Sequence, residues 1–243
     1  MKSFIVAEIA SNWEGNLSTA KKIIRKSKQA GADAVKFQMW RAVDLYSTKH
    51  PLWKFIKKSE LTFSTASKFK KICDDIGIEF FCSAFYPEAV NFLKSINVKR
   101  YKIASRTCLL NDPFSLDTLK AKAQTGKPVI ISMGMGGNKK QMEKIFSKNK
   151  PVFCYCISEY PTPLKKIDWP KAVKFDGFSD HTLGITAPLI YAILKKQQKT
   201  SKIIIEKHVK LANSKGPDAS SSIDTDELAK MIHEIRKIEK INL

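Results

Sequence analysis

The stretch that decides the fold is FIVAEIASNWEGNLSTAKKIIRKSKQAGADAVKFQ, residues 4–38. It begins and ends with short apolar runs, FIVAEI at 4–9 and AVKFQ at 34–38, which are typical of buried strands. Between them an amphipathic segment at 17–30 has the apolar spacing of a helix, and AGAD places a glycine near its end. The stretch therefore predicts one strand-helix-strand unit.

The same alternation repeats along the whole chain. We expect strands at 4–9, 34–38, 79–85, 100–105, 128–134, 151–158, 175–180 and 202–209. Helix-like segments lie near 17–30, 64–76, 86–95, 113–124, 138–148, 165–173, 183–198 and 224–240. Eight strand-helix units in roughly 250 residues predict an α/β fold of the (β/α)8 TIM-barrel type.

A doubly wound open sheet is the structural alternative. It lacks support, because no GxGxxG follows the first strand and GMGG at 134–137 does not have the spacing of a dinucleotide-binding loop. No linker-like stretch divides the chain, and we interpret residues 41–63 as an excursion of the second unit. We therefore expect a single barrel domain over residues 1–243.

The formal charge of +20 raises the question of a polyanionic partner. The lysines are spread over almost every helix-like segment, and only five of the 43 basic residues are arginine, the better residue for bidentate contacts to phosphates and bases. This distribution favours a solvated lysine coat, so nucleic acid is not an expected partner.

Composition also bears on the compartment. No apolar run approaches the ~18 residues of a membrane span, and the N-terminus has no signal-peptide cleavage pattern. The cysteines are odd in number, and four of the five lie in or beside apolar segments, which suits reduced thiols. We expect a cytoplasmic protein without a membrane association.

Polar side chains gather at the carboxyl ends of the predicted strands. Since alternate residues of a barrel strand face the interior, parity directs these side chains into one mouth. The set is Glu8, Lys36, Gln38, Ser83, Lys102, Ser105, Ser132, Ser158, Tyr160, Ser179, Glu206 and His208. Its lysines and hydroxyls suit a phosphorylated or carboxylated small molecule. A structural ion pair between a lysine and Glu8 or Glu206 is the alternative.

Two histidines follow the last two strands, His181 in GFSDHTLG (177–184) and His208 in IIIEKHV (203–209). Two neutral imidazoles converging on one point make a site for a divalent metal with open positions for substrate. Asp180 and Glu206 lie beside them as second-shell or direct oxygen partners. A single histidine near a strand end is more often a satisfied polar residue, so that alternative stays open.

Eight motifs in order resemble the catalytic barrel of the sialic acid synthase family, which includes N-acetylneuraminate, legionaminate and pseudaminate synthases. They are AEIASNWEGN, AGADAVKFQ, YKIAS, PVIISMGM, YPTP, GFSDHT, IIEKH and GPDASSS. The resemblance runs from Ala7 to about Ile235. SDHT and EKH followed by GPD are specific in combination, whereas each motif alone is weak.

The resemblance implies condensation of phosphoenolpyruvate with an N-acylated aldose such as N-acetylmannosamine, giving a nonulosonic acid and phosphate. It implies Mn²⁺ or Mg²⁺ on His181 and His208. Sugar contacts are implied for Glu8, Tyr160 and Asp218. Contacts to phosphoenolpyruvate are implied for Lys36, Ser83, Lys102, Ser105, Ser132, Ser158 and Ser179.

The chain departs from the family pattern on the sugar side. Trp13 stands where the family usually has histidine, and Arg106 and Thr107 stand where it has glycine and a catalytic glutamate. We expect Glu8, Lys102 and Thr107 at the catalytic positions, with Trp13 and Arg106 against the sugar. Full-length synthases also carry a C-terminal antifreeze-like domain that has no counterpart in these 243 residues. A homodimer or a separate antifreeze-like protein is the partner that this implies.

Two other functions stay open at this stage. One is an aldolase in which Lys102 or Lys36 forms a Schiff base, which requires a lysine of depressed pKa and no metal. The other is a degenerate barrel retained for binding or as a scaffold. The substitution at Thr107 favours the degenerate barrel, and the histidine pair counts against it.

Overall fold

A computed structural model describes residues 1–242 of the chain. Eight parallel strands are hydrogen-bonded in sequence order, and the first pairs with the eighth to close the sheet. The closing register runs from Lys2 opposite Lys202 to Glu8 opposite His208. The predicted (β/α)8 barrel is confirmed. Its strands are β1 Lys2–Glu8, β2 Ala34–Met39, β3 Glu79–Ala84, β4 Tyr101–Ile103, β5 Val129–Ser132, β6 Val152–Tyr155, β7 Gly177–Asp180 and β8 Lys202–Lys210.

Ten α-helices surround the sheet or lie in its loops. Several begin at side-chain caps, and the last has a capping box in which Asp224 and Glu227 satisfy each other's backbone N–H groups. The helices are α1 Leu17–Gln29, α2 Ala42–Leu45, α3 Trp53–Lys58, α4 Phe63–Ile76, α5 Pro87–Ser95, α6 Ser115–Gln124, α7 Lys139–Ile145, α8 Trp169–Ala172, α9 Thr186–Gln197 and α10 Thr225–Lys240. None of the helices within residues 1–242 has both the length and the apolar content that crossing a membrane requires.

The structure differs from the expected elements in three places. The excursion at 41–63 contains the short helices α2 and α3. The predicted helix at 165–173 is a 3₁₀ turn, Leu164–Lys166, followed by the four-residue α8. A two-residue strand, β9 (Ile223–Asp224), pairs with the end of β8 and is too short to produce an alternating pattern.

The lower half of the barrel interior is apolar. It is filled by Val6, Ala34, Phe81, Ile130, Cys154 and Ile204, one from each of six strands, with Phe4 and Val152 beside them. Gly177 belongs to this layer because a Cβ at that position would collide with Sγ of Cys154. This apolar layer forms the floor on which the polar upper layer rests.

The aromatic ring of Phe81 should contribute a large part of the stability that this apolar layer provides. We expect Phe81→Ala to lower the free energy of unfolding by about 3–5 kcal/mol, because the side chain is fully buried and the closed sheet cannot collapse onto the cavity. Urea denaturation measures the loss, with Ile193→Ala on the exposed side of α9 as the control. A loss no larger than the control's would contradict this packing.

Candidate active site

A cavity of about 430 Å³ opens at the carboxyl ends of the strands. Fourteen of the residues singled out from the sequence line it. They are Lys36, Gln38, Ser83, Lys102, Ser105, Arg106, Ser132, Ser158, Tyr160, Ser179, His181, Glu206, His208 and Asp218. The parity of the strands thus brings side chains from seven strands or their following loops into one space.

Four buried charges form the base of the cavity. Lys102 Nζ lies 2.6 Å from Oε1 of Glu206, and Lys36 Nζ lies 3.6 Å from its Oε2. Lys36 also forms an ion pair with Glu8, which accepts a 3.1 Å hydrogen bond from Gln38. All four charged side chains are at most 3% exposed. Each charge is therefore compensated inside the protein rather than by water.

The two glutamates differ in protonation. Burial raises the pKa of Glu8 to about 7 against the opposing charge of Lys36. Burial also acts to raise the pKa of Glu206, but the charges of Lys102 and Lys36 outweigh it and hold that pKa well below its ordinary value. Burial acts to lower the pKa of Lys102, and the charge of Glu206 reverses this and raises it. Lys102 is an ammonium paired with a carboxylate.

The serines present hydroxyl groups above these charges. Ser179 donates a 2.8 Å hydrogen bond to Glu206, and Ser105 Oγ accepts one of 2.9 Å from the backbone N–H of Gly134. Ser132 Oγ is buried and has no hydrogen-bond partner among residues 1–242. An orphaned hydroxyl at the wall of a polar cavity is a group that a bound anion can satisfy.

The histidines lie together at the mouth, with ring centroids 5.4 Å apart. His181 Nδ1 lies 2.6 Å from the carbonyl oxygen of Ile157, which can only accept, so Nδ1 carries the proton and the Nε2 lone pair is free. His208 Nδ1 is buried and has no partner among the described residues. Burial lowers the pKa of His181 to about 4 and that of His208 to about 3, so both rings are neutral at pH 7.

This donor set fits a divalent cation. A neutral imidazole with a free nitrogen lone pair is the ligand that such an ion requires, and His181 also has its tautomer fixed by Ile157. Within residues 1–242 no third His, Cys, Asp or Glu joins the pair in a group that could hold a metal. An ion bound here would have two protein ligands and several positions open to substrate or water.

Asp180 lies outside the cavity, and its carboxylate has other partners. It accepts hydrogen bonds from the backbone N–H and the hydroxyl of Thr182, at 3.0 and 3.1 Å, and pairs with Lys207 Nζ at 2.6 Å. Lys207 also donates to the carbonyl of Thr182. These contacts bracket His181 and fix the turn that carries it, while Thr162 N–H donates to the His181 carbonyl at 2.9 Å.

The outer part of the cavity contains three of the expected sugar contacts. Arg106 makes two hydrogen bonds to Asp112, at 2.7 and 2.6 Å. The Tyr160 ring packs on His181 with centroids 4.2 Å apart. Asp218 accepts hydrogen bonds from the N–H and hydroxyl of Ser11. The guanidinium of Arg106, the ring of Tyr160 and the carboxylate of Asp218 thus each have a partner within the protein.

Three expected residues do not line the cavity. Trp13 is buried in the outer core with its ring edge-on to Phe69 at 5.3 Å, because the turn after β1 directs this large apolar side chain toward the helices. Thr107 is buried in a 3₁₀ turn, Ser105–Leu109. Glu8 lies fully buried beneath Lys36. Roles for Trp13 and Thr107 in direct contact with substrate are therefore not carried forward.

Several lining residues and supports were missed in the sequence. Tyr46 reaches the mouth from the 41–63 excursion, and the buried Cys156 lines the cavity with its Sγ 3.2 Å from the Ser105 hydroxyl. The side chain of Lys207 points away from the barrel interior and is buried, but in the sequence it resembles one more exposed lysine. The signal that would have found it is register, because Asp180 stands directly opposite on β7.

Replacing Lys207 tests how much its buried ion pair with Asp180 stabilises the turn that carries His181. Lys207→Met leaves the Asp180 carboxylate buried and unpaired, so we expect the free energy of unfolding to fall by about 3–5 kcal/mol. Denaturant unfolding measures this. The control is Lys71→Met, which removes an exposed i,i+4 pair with Asp75 and should change stability little. Equal losses in the two variants would contradict the role given to the pair.

Known proteins similar to this chain agree on its family. The NeuB family model matches residues 23–242. An uncharacterized protein of Methanocaldococcus jannaschii is 34% identical over 98% of this chain and 72% of its own length, and the pseudaminic acid synthase of Campylobacter jejuni serotype O:2 is 32% identical over 98% and 74%. The crystal structure of N-acetylneuraminic acid synthetase from Leptospira borgpetersenii has a TM-score of 0.87 at 28% identity, covering 99% of this chain and 85% of that one. This chain belongs to the NeuB family.

Proposed function

We propose that the protein condenses phosphoenolpyruvate with an N-acylated aldose to give a nonulosonic acid and phosphate. One observation carries the proposal: two buried lysines, an orphaned buried serine hydroxyl and two neutral histidines open into the same cavity. That combination suits an anion and a metal-bound carbonyl side by side. The printed names of relatives, among them pseudaminic acid and N-acetylneuraminic acid synthases, support the same reaction.

The inner part of the cavity is the proposed phosphoenolpyruvate subsite. Lys36 and Lys102 would supply positive charge. Both ammoniums are already shared with Glu206, so a bound carboxylate or phosphate would compete with that glutamate for them. The hydrogen-bonding groups would be Ser83, Ser105, Ser132, Ser158 and Ser179.

His181 and His208 would hold Mn²⁺ or Mg²⁺ at the mouth. When bound, the ion would supply Lewis-acid polarisation of the sugar aldehyde. The hydrogen bond from His181 to Ile157 keeps the Nε2 lone pair available, and the contacts of Asp180 with Thr182 and Lys207 hold the ring in position.

The aldose would occupy the outer part of the cavity, between the histidines and the loops. Tyr160, Arg106 and Asp218 surround this space. In the reaction, C3 of phosphoenolpyruvate forms a bond to the aldehyde carbon, water adds at C2, and phosphate leaves. Glu206 and Asp218 are the carboxylates among residues 1–242 that line the cavity. Because the pKa of Glu206 is held low, its role is to position the lysines rather than to take a proton.

The Schiff-base alternative is disfavoured by the same ion pairs. A nucleophilic lysine needs a free amine, and Lys102 is an ammonium whose pKa the neighbouring Glu206 raises. Binding without turnover stays the second candidate. The observation in its favour is that Thr107, at the position of the family's catalytic glutamate, is buried away from the cavity.

The decisive experiment measures phosphate release from phosphoenolpyruvate with Mn²⁺ and a panel of N-acylated aldoses, with the product identified by mass spectrometry. We expect release that requires one of the aldoses, is abolished by chelation and is restored by Mn²⁺. His181→Ala and His208→Ala should each remove the metal dependence together with the activity. The assay is repeated with a separate antifreeze-like protein added, because full-length synthases of the family carry such a domain. Phosphoenolpyruvate binding without release under both conditions would establish the binding candidate instead.

Lys102→Met tests the anion subsite directly. Deleting the ammonium while keeping most of the apolar volume should weaken phosphoenolpyruvate binding roughly 10- to 150-fold, because a charge-assisted hydrogen bond is lost. Calorimetric titration measures the affinity, and circular dichroism checks that the variant is folded. The matched control is Lys195→Met, which removes a buried lysine from α9 away from the cavity. Equal affinities in wild type and Lys102→Met would rule out this subsite.

A further inference from the structure

Lys122 is a buried lysine that the proposed reaction does not use. It lies on α6, where neighbouring Lys120 is exposed, yet its own side chain is completely buried against the sheet. Its Nζ donates hydrogen bonds to two backbone carbonyls, that of Ala84 at 2.7 Å and that of Lys102 at 3.0 Å. Burying a lysine amine costs free energy unless the amine is hydrogen-bonded, so the two carbonyl contacts are what allow Lys122 to be buried.

The two carbonyls belong to the neighbouring strands β3 and β4, which share fewer register pairs than any other two adjacent strands among β1 to β8. The β2 and β3 strands pair over six residues, from Ala34 opposite Glu79 onward. The β3 and β4 strands share one register pair, Ser83 opposite Lys102. Just at that pair, Lys122 bonds to the carbonyl of Lys102 and to that of the residue after Ser83. The lysine supplies a connection between β3 and β4 where their ladder is shortest.

The same register pair faces the cavity. The side chains of Ser83 and Lys102 both line it, and Lys102 carries the ion pair to Glu206. We propose that Lys122 is a positioning residue whose amine, bonded to the carbonyls of Ala84 and Lys102, joins β3 to β4 and sets the spacing of Ser83 and Lys102 in the cavity. This inference deepens the proposed function and rests on it for the identity of the ligand, but the structural link itself does not depend on that ligand.

The chemistry of the amine agrees with this geometry. A neutral amine has two N–H donors, which matches the two carbonyl acceptors, whereas an ammonium would bring a third donor and an uncompensated charge. The groups facing it are the thiols of Cys82 and Cys108 and the ammoniums of Lys36 and Lys102. Burial lowers the pKa of Lys122 to about 7, and the two lysine charges act in the same direction.

This has a consequence for stability against pH. In the unfolded chain a lysine has a pKa of about 10.4. Between the folded and unfolded values the unfolded state binds more protons through this lysine, so the contribution of Lys122 to stability rises as pH increases from about 7 toward 10. Removing Lys122 should remove that rise.

The experiment compares Lys122→Met with Lys195→Met. Lys195 is also a buried lysine that donates to a backbone carbonyl, that of Val173, but it belongs to α9 and does not line the cavity. In Lys122→Met we expect amide hydrogen exchange in residues 79–84 and 101–104 to speed up by about 10-fold or more, since two carbonyls lose their donor. The stability of the wild type relative to Lys122→Met should rise between pH 7 and 9.5, and phosphoenolpyruvate affinity should fall by about 10-fold in the variant. Lys195→Met should retain all three wild-type behaviours.

Two further measurements make the test decisive. Lys122→Gln keeps two N–H donors and should restore part of the exchange protection and of the affinity. In the folded wild type, the ¹³Cε resonance of Lys122 should titrate near pH 7; titration near its ordinary value, or unchanged exchange at β3 and β4 in Lys122→Met, would overturn the proposal. Exchange, pH slope and titration need no ligand, so absence of phosphoenolpyruvate binding in the wild type would count against the proposed function and leave this inference standing.

Discussion

Two lysines and two glutamates are buried together in the interior of this barrel, and the protonation of each depends on the others. Glu206 is held as a carboxylate by Lys102 and Lys36, while burial raises the pKa of Glu8 to about 7 against the opposing charge of Lys36. Two lysines, one carboxylate and one acid that titrates near pH 7 give the four groups a net charge between zero and about +1. An anionic ligand therefore meets a site whose charge is already organised, and it needs to displace only part of an existing pairing.

The positions that parity governs could be predicted from the sequence. Lys36, Ser83, Lys102 and Glu206 occur at alternate positions on short strands, and in a closed sheet alternation alone directs them inward. Residues in the loops after the strands follow no such rule, which is why Trp13 and Thr107 were placed at the substrate and lie in the core instead. Alternation along a strand predicts which way each side chain points, but a turn changes that direction within one or two residues.

The lysines that are buried between the barrel strands and the helices could not be recognised from composition. In a chain with 43 basic residues, Lys122 and Lys207 look like two more members of a solvated coat. What separates them is the partner: two strand-end carbonyls in one case and Asp180 in the other. Such contacts depend on the register between strands and on the rotation of a helix against the sheet. Neither is fixed by local sequence pattern, although the opposition of Asp180 and Lys207 follows once the register is known.

The pairing of β1 with β8 has a consequence for biosynthesis. These strands are paired over seven residues, yet about 200 positions separate them along the chain, so the seam joins the first and the eighth strands of the barrel. Until β8 leaves the ribosome, β1 is an unprotected edge with free backbone groups, the kind of surface on which nascent chains associate wrongly. Because His208 and Glu206 belong to β8, the mouth of the cavity is complete only after β8 has paired with β1. A nascent chain that stops short of β8 would therefore carry an exposed edge and no site.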